Sequence, residues 1–403
     1  MARRRIVGGL DVGTTKVCTC IGELTADGAV AIIGVGVSPS HGLRRGVVVD
    51  LEATGRAIQE SVAAAERMAG LSLESVYVGV SGTHVSSLNS SGVIAIAGAK
   101  GEITAEDAQR VLQAARTVKL PQDRELLHVL PREFIVDGYK GIRDPVGMTG
   151  VRLEAVVHIV TAAVAHTQNL LKAVQRAGLE VAGLVLPTLA VAEAVLEPAE
   201  REMGVALVDI GGGTTDVAVF IDGRVAHTAV VPVSAHHITN DIAVGLQIPV
   251  AQAEEIKLQH GTALREVAAT RQPGAAKAAG GRLSLADIIT PRIEELFQMV
   301  RGEIERSTGG ERLPGGVVLT GGGALMDGML AAAQEHLGLP ARLGVPGGVV
   351  GLVDVVNSPI YSAAVGLMRY GFAQAGPAPA ASANGAPWRR LMERLKQWLS
   401  EML

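Results

Sequence analysis

Val205-Ala-Leu-Val-Asp209-Ile-Gly-Gly-Gly-Thr-Thr-Asp216 runs a buried apolar strand into an aspartate, three glycines and two threonines, and a second strand alternates on through Val217, Val219 and Ile221. The same plan stands near the N-terminus, where Ile6–Leu10 leads into Asp11-Val-Gly-Thr-Thr-Lys16 and a strand through Val17, Thr19 and Ile21. Glycines let backbone N–H groups close on an oxyanion, threonine hydroxyls add donors, and the acid at the strand end can face a hydrated Mg²⁺. The residues after each turn alternate and are β-branched, so neither turn is a Walker loop opening a helix. One such hairpin is an ordinary tight turn; two matched copies, each with its strand-end acid, read as a pair of phosphate clamps.

A third glycine cluster comes after the apolar run Val317-Val-Leu-Thr320, as Gly321-Gly-Gly-Ala-Leu-Met326. A strand opening into glycines before a helix, expected from about Asp327, suits close approach of an adenosine or its phosphate. Between the clusters Ala251–Leu258 reads as helix, with Glu254 and Lys257 on one face. That pair can flank a ribose or form a plain surface ion pair.

At 403 residues the chain can bury more than one core, and with 48% apolar but only 2% aromatic residues those cores must be built from Val, Ile, Leu and Ala. A net charge of −4 argues against a nucleic-acid footprint. No run approaches the roughly 20 apolar residues of a membrane span, and the basic start leads into too short an apolar run for a signal peptide. Cys18 and Cys20 are the only cysteines. Side-chain alternation along a strand is taken to separate them, leaving free thiols in a reducing compartment. The histidines, His158, His166, His227, His236, His237 and His260 among them, lack metal-site spacing.

The last sixteen residues differ from the rest. Trp388, Leu391, Met392, Leu395, Trp398, Leu399 and Met402 recur at steps of three and four, facing Arg389, Arg390, Arg394 and Lys396. A basic amphipathic helix with both tryptophans of the chain on its apolar face fits an anionic membrane surface. Gly371–Pro387 before it is rich in Gly, Ala, Pro and Ser, carries no charge, and reads as a flexible linker. The alternative is a terminal helix folded back on its own domain.

The two hairpins and Thr320-Gly-Gly-Gly323, in this order, resemble the phosphate and adenosine motifs of the actin/Hsp70/sugar-kinase superfamily. Within it, Pro121–Lys140, Asp144–Glu154 and His237-Ile-Thr-Asn-Asp-Ile-Ala243 resemble the bacterial FtsA cell-division family. The resemblance implies an α/β, actin-like (ribonuclease H-like) two-lobed ATPase fold with an inserted subdomain and a C-terminal amphipathic helix. ATP and Mg²⁺ would lie between the lobes. Asp11 and Asp209 would order the metal through water. Gly13, Thr14, Thr15 and Lys16 would hold phosphates from one side, and Gly211, Gly212, Gly213, Thr214 and Thr215 from the other. Glu254 and Lys257 match the family's ribose and adenine helix, and Gly321, Gly322, Gly323 and Met326 its adenosine strand end. The implied partners are FtsZ, further copies of the chain in filaments, later division proteins and the cytoplasmic face of the membrane.

The implied organisation places residues 1–82 and 161–204 in the first large subdomain, with strand Val156–Ala165 already returning to it. Residues 83–160 form the insertion, 205–370 the second lobe, with a polar loop at Thr262–Arg282, 371–387 the linker and 388–403 the membrane helix. Three positions depart from the family pattern. Pro187 stands where an acid is expected, which puts ATP hydrolysis but not binding in doubt. Val233-Ser-Ala-His-His237 replaces a Gly-Gly-Asp-His pattern and should loosen backbone approach. The tail uses Leu where relatives often carry Phe. A small-molecule kinase is the rival reading; it lacks an obvious free Asp between the lobes and has no use for an anchor. A pilus-assembly actin homologue is the other, and the inserted segment argues against it.

Overall fold

The computed structural model describes residues 5–97, 101–264, 284–309 and 312–374. The expected amphipathic helix, most of the expected linker and most of the polar stretch after Thr262 lie outside them.

Two sheets repeat one plan. In the first, β1 (Ile6–Val12), β2 (Lys16–Leu24) and β3 (Val30–Pro39) form an antiparallel meander. β6 (Ser75–Gly79) then joins β1 in parallel, and β11 (Glu180–Val185) joins β6. In the second, β12 (Val205–Ile210), β13 (Thr215–Ile221) and β14 (Arg224–Val231) form the meander. β15 (Val317–Thr320) then joins β12 in parallel and β16 (Ala341–Leu343) joins β15. A glycine turn joins the first two strands of each meander. The sparse aromatics are offset by close backbone packing: helix α1 (Leu51–Ala69) lies so near β3 that a Cβ on Gly36 would be 1.9 Å from the Ser61 carbonyl oxygen.

A separate four-stranded sheet interrupts the first lobe, in the order β7 (Ser86–Ala95), β10 (Arg152–Ala163), β8 (Arg124–Val136), β9 (Tyr139–Ile142). Helix α2 (Ala105–Arg116) covers it and opens with a reciprocal capping box between Thr104 and Asp107. Phe134, Leu153 and Ile159 give it a core of its own. β10 stays paired with this sheet to Ala163, yet its Val160 and Ala162 pack in the first-lobe core with Leu10 and Ile58, so the strand itself bridges the insertion and the first lobe before α3 (Val164–Arg176).

The chain end departs from two expected boundaries. β17 (Val350–Gly351) pairs with β3, and the final helix Ser362–Gln374 packs on β1 and on α4 (Pro187–Val195), so the last segment of 205–370 belongs with the first sheet. A Cβ on Gly9 would sit 2.4 Å from the Ala364 carbonyl oxygen, which is how close that helix lies. Gly371–Gln374, expected in the linker, is its last turn, with Phe372 buried. The α4 residues Val191 and Val195 share one core with Val7 and Cys20 of the first sheet and Val205 and Leu207 of the second. Cys18 and Cys20 both face that core, because positions two apart on a strand share a side; both are free, and burial pushes the Cys18 thiol up to about 11.

Candidate functional site

Both glycine hairpins open into a cleft of about 660 Å³ between the lobes. Each closes with the same bond: Gly13 N–H donates to the Lys16 carbonyl and Gly211 N–H to the Thr214 carbonyl, both at 3.0 Å. The hairpins also fit each other. A Cβ on Gly212 would lie 2.4 Å from Thr15 Cγ2, and one on Gly213 would lie 2.3 Å from Thr14 Oγ1. The threonines of the first turn press where the second has no side chain.

The second hairpin is fixed from behind by helix α6 (Ala235–Leu246), whose first N–H groups, of Ala235 and His236, donate to the Gly211 and Gly212 carbonyls at 3.1 Å. Ser234 Oγ adds a 2.7 Å bond to the Gly212 carbonyl. The Val233–His237 stretch therefore anchors the turn rather than loosening it. Gly321, at φ +81°, completes the corner, since a Cβ there would lie 2.2 Å from Asp209 Oδ1. Gly322, Gly323 and Met326 continue that wall. On the far side, α7 (Val250–His260) brings Lys257 Nζ to 2.7 Å from Glu254 Oε2 and 2.8 Å from Thr239 Oγ1. Lys257 is buried while Glu254 is partly exposed, and both line the cleft.

The cleft brings together Asp11, Gly13, Thr14, Thr15, Lys16, Asp209, Gly211, Gly212, Gly213, Thr214, Glu254, Lys257, Gly321, Gly322, Gly323 and Met326. Thr215 alone of the expected site residues is off its lining and wholly buried on β13, because neighbouring strand side chains alternate and Thr214 takes the cleft side. Asp216 is a site residue that the sequence reading does not select, and it is an acid between the lobes of the kind a kinase would need. It faces Asp209 across the β12–β13 pair, and its Oδ2 accepts a 2.5 Å bond from Ser81 Oγ. Two acids framing one glycine turn are the signal that marks it in the sequence. Pro187 opens α4 at the cleft floor, its Cγ lying 3.2 Å from where a Cβ on Gly79 would be.

Charge in the cleft is unbalanced. Lys16 Nζ lies 3.7 Å from Asp11 Oδ2, and although burial pulls the ammonium down, its acidic neighbours hold it above its ordinary value. Burial first, then the charges of Asp216 and Asp11, push Asp209 up to about 8. Burial raises Asp216 to about 6, and its Oδ1 is buried without a hydrogen-bond partner among the described residues. Carboxyls crowded in this way fit a divalent cation. No group of three or more His, Cys, Asp or Glu among the described residues forms a direct metal cage, so such an ion would be held largely through water.

Comparison with known proteins gives the lineage. The family profile described as "SHS2 domain inserted in FTSA" matches residues 82–161, and that of "Cell division protein FtsA" matches residues 206–366. The FtsA of Pseudomonas aeruginosa is 44% identical over 98% of this chain and 97% of its own length. The chain belongs to the FtsA family of cell-division proteins. The FtsA of Escherichia coli K12 is 40% identical over 91% of this chain and 90% of its own. Among solved structures, a type IV pilus biogenesis complex of PilM and PilN matches with TM-score 0.68 and 19% identity, over 91% of this chain and 98% of that one, sharing the actin-like fold. No described helix is long and apolar enough to cross a membrane.

Proposed function

We propose that this FtsA-family chain binds Mg²⁺-ATP between its two hairpins, assembles into actin-like filaments, and ties FtsZ and later division proteins to the cytoplasmic face of the membrane. The observation carrying this is the pair of interlocking glycine hairpins over an acid-rich cleft. Thr14, Thr15 and Lys16 would meet the phosphates from the first lobe, and Gly211–Thr214 from the second. Asp11 and Asp209 would orient the hydrated metal, whose positive charge offsets the negative charge of the phosphates. Glu254 and Lys257 would flank the ribose, with Gly321, Gly322, Gly323 and Met326 against the adenosine. Pro187 offers no side chain to align water, so turnover is slow and binding rather than cleavage drives assembly.

One copy of the terminal helix holds lipid weakly and reversibly; a filament presenting many copies holds it firmly. The test is co-sedimentation with anionic liposomes, with and without Mg²⁺-ATP, and with FtsZ added. Wild-type protein should pellet and carry FtsZ with it. Leu395→Glu or Trp398→Glu should stay in the supernatant while keeping ATP affinity. Wild-type pelleting by such a variant sinks the anchor assignment.

A further inference from the structure

Beneath the clamps the inserted sheet meets the second lobe. Ser87 Oγ on β7 donates to the Thr228 carbonyl of β14 at 2.6 Å, and Thr228 Oγ1 lies 2.8 Å from His158 Nε2 on β10. His158 Nδ1 lies 2.8 Å from Asn89 Oδ1. That amide oxygen only accepts, so Nδ1 carries the hydrogen, Nε2 accepts, and the Thr228 hydroxyl donates. The ring is 1% exposed, and burial, His227 and Arg132 push it down to about 3, so it stays neutral and keeps this pattern.

β14 is laddered to the strand that carries the second clamp: Thr228 stands opposite Ala218, Val230 opposite Asp216 and Val231 opposite Thr215. Asp216 walls both the cleft and a second chamber of about 10 Å³, roughly the room of one water, which Ser86, Thr188 and Thr228 also line. Asp216 Oδ1 and Thr188 Oγ1 are buried without partners among the described residues, and a water there would satisfy both. On the other wall, His128 Nε2 of β8 accepts the Leu186 N–H at 2.9 Å, one residue before Pro187. The insertion thus grips the floor of both lobes.

We propose that Thr228 couples the inserted subdomain to the cleft, so that nucleotide occupancy and the docking of the insertion on the second lobe bias each other. The inference rests on the nucleotide reading above. A shift of the clamp strand β13 carries β14 with it through the ladder, and β14 either drags β7 and β10 along or breaks their bonds to Thr228. Coupling of this kind is reciprocal: a variant that frees the insertion also weakens nucleotide binding.

Amide hydrogen exchange on the full chain, with and without Mg²⁺-ATP, tests it. In wild type, nucleotide should slow exchange at the clamps and also at Ser86–Asn89 and Val157–Val160. Thr228→Val keeps the side-chain shape and removes the hydroxyl. Because the Ser87 bond goes to the backbone carbonyl and remains, it should lose the protection at Val157–Val160 and bind ATP about fivefold or more weakly, at the lower end of typical coupling. His158→Gln serves if that variant does not fold, and should show the same loss. Protection confined to the clamps in wild type, or full protection of Val157–Val160 in the variants, overturns the coupling. No protection at the clamps overturns the nucleotide reading and the coupling with it.

Discussion

The first hairpin and the second share one turn and differ in everything the turn presents. Asp11–Lys16 carries its own counter-charge and shows two threonine side chains. Asp209–Asp216 has no cation of its own, shows bare backbone at Gly212 and Gly213, and is framed by two acids. The repeat is complementary rather than symmetric: the first fills space and supplies positive charge, and the second offers backbone and negative charge. A site closed by such halves gains specificity from their fit, and each half should respond differently to damage.

The largest effect should come from filling the bare backbone. Gly212→Val places a branched side chain where even a Cβ is 2.4 Å from Thr15 Cγ2, and overpacking plus lost backbone approach should weaken ATP binding about 100-fold or more. Adding Thr15→Gly should recover part of that loss if the fit between hairpins matters. No recovery by calorimetry would mean the valine acts on the ligand alone.

Next come two substitutions that should move metal-free stability in opposite directions. Lys16→Met leaves Asp11 without its cation and should cost about 1–3 kcal/mol. Asp209→Asn relieves crowding among buried acids and should gain about 1 kcal/mol in urea unfolding while losing Mg²⁺-dependent ATP binding. Shifts of the same sign would erase the asymmetry between the two halves.

At neutral pH the smallest effect lies at the seam below, and it grows only in acid. His158 titrates near 6.5 in the unfolded chain and is pushed down to about 3 when folded, so between these values the unfolded state binds the extra proton. Stability from this group is complete above about 6.5 and falls as pH drops, by up to about 1.4 kcal/mol per unit. His158→Gln should flatten the curve by that one-proton slope. Identical pH profiles for the two proteins would count against a buried neutral ring.

How much is legible in residue order alone depends on the range of each signal. The hairpin pair is legible because glycine, acid and hydroxyl positions are fixed by chemistry at short range. Thr215 is misplaced by the motif although strand alternation excludes it, since Thr214 and Thr215 cannot both face the cleft. The same alternation, misapplied, puts Cys18 and Cys20 on different sides. The final helix defeats a sequence reading for a different reason: its apolar face shows that something covers it, but not which sheet. Its fit on Gly9 at Ala364 and on Gly22 at Met368 returns it to the first lobe. The partnership of His158 with Thr228 joins residues 70 apart and leaves no local trace.

If both hairpins are needed to hold one nucleotide, calorimetric titration of ATP with Mg²⁺ into wild type, Asp11→Ala and Asp209→Ala shows it most directly. Wild type should bind one ATP, and either substitution should reduce the affinity beyond detection while thermal melting still shows a folded protein. Wild-type affinity in either folded variant would contradict a site built from two unlike halves.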